Sequence, residues 1–379
     1  MATMALPGAT RKCRLTGQCG MTGRRSTDTV LVTGAFGLIG SATVRRLIAD
    51  GRQCVVTGRC SAAGRRAARA LPAGVNVRWS DLTRPGEAER LVHETSPTAI
   101  IHLAGSSPPW MYRDAVASRK INVDATAALV HAAQRMSHPP RFVHASSTAV
   151  YGVRNPHRCS DLLRADTVPK PYDAYGRQKL EAETAVRASS LEWTILRLGA
   201  VLSVEPPAAS LDLDALFFDR SLPADGRTQT VDVRDAAAAF TAATTADVAG
   251  TIMLVGGDPS HRLRQGEIGS AIATEYGFAS GLPAGRPGNP DIDEGWFTTD
   301  WMDTVEAQRR LSFQHHSWPD MLAEIRDRIG WKRLPTRLLT PIVRPLLRRR
   351  LTMRTAGPGR YADPWEAARI RFGDPITRG

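Results

Sequence analysis

Between Thr29 and Gly40 the chain reads Thr-Val-Leu-Val-Thr-Gly-Ala-Phe-Gly-Leu-Ile-Gly, an apolar run that closes on glycines at 34, 37 and 40. The run predicts a buried strand, and the helix-compatible stretch Ser41–Ile48 follows with almost no connection between them. Glycine lets a strand turn sharply into a helix, and it lets backbone N–H groups approach a phosphate held at the helix N-terminus. A glycine triplet serves equally well as a tight turn with no ligand, so later residues must decide between the two.

They repeat one pattern. Gln53–Thr57 predicts a second strand ending at Gly58-Arg59, Val75–Trp79 a third followed by Ser80-Asp81-Leu82-Thr83, and Thr98–Gly105 a fourth. A helix is expected over Ala115–Met136, a fifth strand over Arg141–Thr148, and a further helix from about Pro171. Strands alternating with helices predict an α/β fold with a Rossmann-type doubly wound parallel sheet, here with a smaller C-terminal substrate-binding region. Ligand then sits at the carboxyl ends of the strands, where Gly34–Gly40, Asp81, Gly105 and Ser147 fall.

Two features give that location chemistry. Tyr175 and Lys179 are four residues apart and share one helical face, and an ammonium beside a phenol favours the phenolate. At the second strand's end no acid stands among Thr57, Gly58, Arg59 and Cys60 to bind a ribose 2′-hydroxyl. Arg59 there suits a 2′-phosphate instead, so NADP is the expected cofactor, with NAD as the alternative.

Charge excludes one class of partner. The net charge is +13, but residues 1–28 carry +4 and residues 332–379 carry +9, leaving the body 29–331 neutral. Basic tails on a neutral body with no nucleic-acid module argue against nucleic-acid binding. The chain divides into a disordered basic extension (1–28), a dinucleotide-binding domain (29–255, with a substrate-region insertion near 202–228), a small substrate region (256–331) and a basic tail (332–379). In that tail Leu338, Ile342 and Leu346 recur at four-residue spacing with Arg337, Arg344 and Arg348 on another face, a pattern suited to an anionic membrane surface or to packing on the chain itself. Pro345 should bend any helix there. Five cysteines without zinc-like spacing, and no run of about 18 apolar residues, predict reduced thiols, no metal site and a cytoplasmic protein, with membrane contact only through 335–351.

In order along the chain, Thr33-Gly34-x-x-Gly37-x-x-Gly40, Asp81-Leu82-Thr83, His102-Leu103-Ala104-Gly105, Asn122-Val123-x-x-Thr126, Ser146-Ser147-x-x-Val150-Tyr151-Gly152 and Tyr175-x-x-x-Lys179 resemble the extended short-chain dehydrogenase/reductase, or NAD-dependent epimerase/dehydratase, family over about residues 29–331. The resemblance implies that Gly34, Phe36, Gly37, Leu38, Ile39 and Gly40 hold the cofactor pyrophosphate. It implies that Asp81 and Leu82 lie near the adenine, and that Leu103, Ala104, Gly105 and Asn122 line the cleft. It makes Tyr175 the acid/base, Lys179 its activator and ribose ligand, and Ser147 a hydrogen-bond donor to the reacting oxygen. It also implies a possible homodimer through the helices bearing Asn122 and Tyr175.

Departures narrow the chemistry. Nucleotide-sugar dehydratases carry an Asp-Glu pair where this chain has Thr148-Ala149, and many epimerases carry an asparagine near Ala200. The segment from Arg197 to Asp235 leaves little room for a nucleotide-sugar lid. The substrate side is expected to include Ser107, Trp110, Ser147 and Thr148, with Trp296, Phe297 and Trp301 packing the small region and His144, His315 and His316 without a chemical role. The leading expectation is an NAD(P)-dependent oxidoreductase acting on a hydroxyl or carbonyl carbon of a small molecule. A sugar or nucleotide-sugar epimerase with tightly held cofactor stands second, and a non-catalytic NADP-sensing regulator third.

Overall fold

The computed structural model describes residues 28–205, 213–278, 285–334 and 359–376. The segment 335–351, for which membrane contact is expected, and the basic extension before residue 28 lie outside the described residues.

Seven parallel strands form the central sheet: β1 (Thr29–Thr33), β2 (Gln53–Gly58), β3 (Asn76–Trp79), β4 (Ala99–His102), β5 (Arg141–Ser147), β6 (Trp193–Leu198) and, later in the chain, β9 (Thr251–Val255). Their order is β3-β2-β1-β4-β5-β6-β9, so the chain reverses direction across the sheet between β1 and β4. That switch opens a crevice at the strand ends. The smaller sheet has the order β10-β8-β7, built from β7 (Ala200–Leu202), β8 (Arg227–Asp232) and β10 (Arg262–Arg264).

Both faces of the large sheet are covered, which is why its strands read as unbroken apolar runs. Along β1, Val30 and Val32 enter one core with Val44, Leu47 and Phe240, whereas Leu31 enters the other with Leu91, Leu129 and Val186. The first face is roofed by α1 (Leu38–Ala49), α8 (Val233–Ala243) and α10 (Val305–Leu311). The second is roofed by α3 (Glu87–Thr95), α5 (Ala125–Gln134) and α6 (Ala174–Arg187). The remaining helices among the described residues are α2 (Ala62–Arg69), α4 (Ala115–Arg119), α7 (Leu213–Ser221), α9 (Gln265–Glu275), α11 (Trp318–Ile329) and α12 (Pro364–Phe372).

Two helices differ from the sequence expectation. The helix predicted over Ala115–Met136 is broken into α4 and α5 by a π-turn at Lys120–Asp124, and that turn carries Asn122. Such a widened turn re-aims one side chain without ending the helix. The helix expected from Pro171 begins at Ala174, because the Asp173 side chain accepts the Gly176 N–H at 3.1 Å and caps it.

Candidate active site

The glycine loop is shaped by close backbone approach. Gly34 has φ +65°, and a Cβ there would lie 2.6 Å from the Ala104 nitrogen; one on Gly40 would lie 2.2 Å from the Gly34 carbonyl oxygen. Neither position accepts a side chain, so β1, β4 and α1 converge within backbone contact. The N-terminus of α1 has no side-chain cap and no acidic residue in its first turn. Uncapped N–H groups and the positive end of the helix dipole are left facing the crevice.

A groove of about 850 Å³ runs from this loop along the ends of β2, β3 and β4. Gly34, Phe36, Gly37, Arg59, Asp81, Leu82, Leu103, Ala104 and Gly105 line it, as do Ser61 and Gly64 at the start of α2. Leu38 lies half exposed at the loop, and Gly40 is buried beneath it. Thr57, also lining the groove, is fully buried with a hydroxyl that has no hydrogen-bond partner among the described residues. A buried hydroxyl without a partner in a groove wall is what a polar ligand would satisfy. Trp79, which sequence reasoning took only as a strand residue, packs its ring 5.2 Å from that of Phe36. Phe36 in turn explains Gly58, where a Cβ would lie 2.6 Å from the Phe36 ring. Asp81 is held below the usual carboxylate range mainly by the Thr83 hydroxyl at 2.7 Å, with the Arg59 and Arg84 charges adding to it. Trp110, expected on the substrate side, borders this groove and is 43% exposed.

At the other end of the crevice, α6 presents Tyr175 and Lys179 on one face. Burial pushes the Tyr175 pKa up to about 12, against the lowering effect of the Ser147 hydroxyl beside it. The Lys179 ammonium lies 5.9 Å from the Tyr175 ring centre and donates to the Ala145 carbonyl at 2.8 Å. Burial draws its pKa down to about 8, opposed by the Glu183 carboxylate. A Cβ on Gly105 would lie 3.0 Å from Asn122 Oδ1 and 3.6 Å from Lys179 Nζ, so those two groups flank one point on the groove floor. Asn122 is fixed on three sides: its Oδ1 accepts the Ser106 N–H at 2.8 Å, and its amide donates to the Ser106 carbonyl and to Gln178 Oε1.

The remaining predicted positions are less central. Ile39 packs partly buried against the first core, Ser107 is exposed, and the Thr148 hydroxyl, 4% exposed, donates to the Thr298 carbonyl at 3.5 Å. Among the described residues no cluster of His, Cys, Asp and Glu is arranged to hold a metal, and no helix is long and apolar enough to cross a membrane. Cys54, Cys60 and Cys159 are free thiols.

Two buried networks stand behind the site. The Thr126 hydroxyl donates to the Asn122 carbonyl at 2.8 Å, so it accepts from His102 Nε2 at 2.9 Å, and His102 Nδ1 then accepts from the Thr33 hydroxyl at 2.7 Å. That assignment makes His102 neutral, and burial holds its pKa down to about 3. Behind Lys179, Glu183 receives two bonds from Arg197, at 2.9 and 2.6 Å, and one from Ser146 at 2.5 Å, all fully buried. Glu183 stands four residues beyond Lys179 on the same helical face; that spacing was the available signal for it.

Comparison with known proteins places this geometry among relatives. Residues 30–217 match the family model described as "NAD dependent epimerase/dehydratase family". The chain is similar to D-erythronate dehydrogenase of Cupriavidus necator, with 30% identity over 187 residues, 47% of this chain and 56% of that protein. It is also similar to UDP-glucose 4-epimerase 4 of Oryza sativa subsp. japonica, with 31% identity over 188 residues, 45% of this chain and 48% of that protein. The chain thus spans about half the length of the curated relatives it matches. Among solved structures, UDP-glucose 4-epimerase of Thermotoga maritima with UDP-glucose superposes with a TM-score of 0.63 over 80% of this chain and 100% of that one, at 19% identity, a likeness of fold.

Proposed function

Over residues 30–217 the chain belongs to the NAD dependent epimerase/dehydratase family, and from that premise we propose that it is an NADP-preferring oxidoreductase acting at a hydroxyl or carbonyl carbon of a small molecule. The observation that carries the reading is Tyr175 one helical turn from Lys179 with the Ser147 hydroxyl beside it, at the end of a groove lined by Gly34, Gly37 and Gly105. The uncapped N-terminus of α1 and the unpartnered Thr57 hydroxyl suit a dinucleotide in that groove. Its pyrophosphate would rest on Gly34–Gly40, its adenosine end near Asp81 and Leu82, and its nicotinamide ribose against Asn122 and Lys179. Arg59 and the Ser61 end of α2 would take the 2′-phosphate.

A reduced nicotinamide bound there would supply the hydride that reduces the carbonyl carbon and would itself be oxidised, while Tyr175 gives the carbonyl oxygen its proton. Ser147 holds the reacting oxygen beside the Tyr175 hydroxyl. Lys179 keeps positive charge near the phenol, so the phenolate left behind is stabilised, and in the reverse direction it favours the phenolate that accepts the alcohol proton. Glu183 faces the Lys179 charge and resists the loss of its proton.

Steady NADPH oxidation with a carbonyl substrate tests the reading, and Tyr175→Phe should lower kcat by about 10²–10⁴-fold. Activity unchanged in Tyr175→Phe overturns it. Similarity to an epimerase supports a second reading, in which substrate epimers interconvert without net NADPH consumption; chiral analysis of product at constant absorbance separates the two.

A further inference from the structure

The first turn of α6 carries a charge that capping does not require. A helix N-cap needs one short polar side chain, and serine or asparagine serves as well as aspartate. Here the cap is Asp173, fully buried, and a buried carboxylate is costly unless it is paired and hydrogen-bonded. Its partner comes from 61 residues earlier in the chain. Tyr112, also buried, stands in the short turn Trp110–Arg113 and donates its hydroxyl to Asp173 Oδ2 at 2.5 Å. Oδ1 accepts the Gly176 N–H at 3.1 Å. Each oxygen accepts from a donor, the bonding pattern of a carboxylate.

The pair lies within reach of the reacting phenol. Tyr112 and Ala174 are buried in one apolar cluster, and Tyr175 packs against it. Burial pushes the Asp173 carboxyl above its ordinary range, opposed by the Tyr112 hydroxyl and by the backbone N–H groups of Gly176 and Tyr175. At Tyr175 burial is the largest influence keeping the phenol protonated; the Ser147 hydroxyl opposes it, and the Asp173 charge adds to it. The neighbouring charges are already engaged. Lys179 lies 5.9 Å from the Tyr175 ring centre with its ammonium on the Ala145 carbonyl, Arg177 donates to the Tyr172 and Ile376 carbonyls, and Arg113 and Arg371 both pair with Asp214. From α7 and α12 the cluster receives the apolar rings of Phe217, Phe218 and Phe372.

We propose that Tyr112 and Asp173 are a positioning pair for Tyr175. Tyr112 anchors the first turn of α6, and the Asp173 carboxylate favours the protonated phenol, the form that gives up a proton in carbonyl reduction. The two charges on α6 then act in opposite senses: Lys179 favours the phenolate and Asp173 the phenol. The proposal rests on the reading of Tyr175 as the acid/base.

Carbon-13 labelling at tyrosine Cζ in the full chain gives one NMR signal for each of six tyrosines, and Tyr175→Phe identifies the one that belongs to Tyr175. Its movement between pH 9 and 11, with the fold checked by circular dichroism, gives the ionisation constant without any substrate. Asp173→Asn keeps the cap and removes the charge, so it should raise that constant by about tenfold. A residue that only caps the helix would leave it unmoved. Tyr112→Phe should quicken amide hydrogen exchange at Tyr175 and Gly176 by about tenfold or more, because the carboxylate they face loses its anchor. Ionisation of Tyr175 within about twofold in Asp173→Asn, or unchanged exchange in Tyr112→Phe, overturns the proposal. Should Asp173→Asn fail to fold, Asp173→Ser, which also caps without charge, decides in its place. A shifted ionisation together with undiminished NADPH oxidation in Tyr175→Phe keeps the pair and overturns the catalytic reading of Tyr175. An inactive Tyr175→Phe with unmoved ionisation in Asp173→Asn does the reverse.

Discussion

Under the proposed function, Arg59 is the residue on which a coenzyme preference would turn. It stands at the carboxyl end of β2 in the groove wall, and its charge reaches Asp81 across that groove. A guanidinium contact to a phosphate is a charge-assisted hydrogen bond, and removing one partner costs about 1.5–3 kcal/mol. Arg59→Ala should therefore raise the Kd of NADPH by about tenfold to a hundredfold and leave that of NADH nearly unchanged, as read by coenzyme fluorescence titration. Equal losses for both coenzymes would remove Arg59 from the 2′-phosphate. That Arg59 would stand at the groove was legible in the sequence from its place at the end of a strand. Trp79 was not, because nothing in a four-residue strand announces that its last ring will meet Phe36.

Among the elements, α6 does most of the organising. A four-residue period places Tyr175, Lys179 and Glu183 on one stripe, so a single helix carries the phenol, the ammonium and the carboxylate behind it. The carboxylate is locked by Arg197 from β6, with both side chains about fully buried. Removing one member of a buried ion pair leaves the other unpaired, and Glu183→Ala should cost about 3–5 kcal/mol in chemical denaturation. The double change to methionine at 183 and 197 should recover part of that loss; a double variant as unstable as the single would show that the pair is not coupled. Helix α6, its register and its stripe were readable from Tyr175-x-x-x-Lys179. The π-turn that aims Asn122 was not, since a widened turn keeps the same apolar periodicity as the helix it interrupts.

The whole molecule has a pH dependence set in its central sheet. His102 and His144 face each other across β4 and β5 with rings 5.6 Å apart, both buried, and burial with the nearby Lys179 charge holds both below the ordinary imidazole range. In the unfolded chain they titrate near 6.5, whereas folded His102 titrates near 3, so between those values the unfolded state binds more protons. Stability therefore rises with pH across that window and is lost as pH falls through it, by about 1.4 kcal/mol per unit for each such group. Neither ring nitrogen of His144 has a hydrogen-bond partner among the described residues. His144→Leu should flatten the acid limb of the stability curve at little cost near pH 7, measured by urea denaturation from pH 4 to 7. An unchanged acid limb would show that His144 does not contribute to it.

By itself the sequence determined the order of strands and helices, the glycine loop, and the face shared by Tyr175 and Lys179. All of these are local: they follow from periodicity, from chain stiffness and from glycine's freedom over a few residues. The tertiary structure alone decided that Trp110 borders the groove at the strand ends, that His102 runs a hydrogen-bonded chain from Thr33 to Thr126, and that α12 returns to pack beside Tyr175. Those pairings join residues far apart in the chain. What selects them is the burial of one apolar surface against another and the pairing of buried polar groups, and neither is encoded in local spacing.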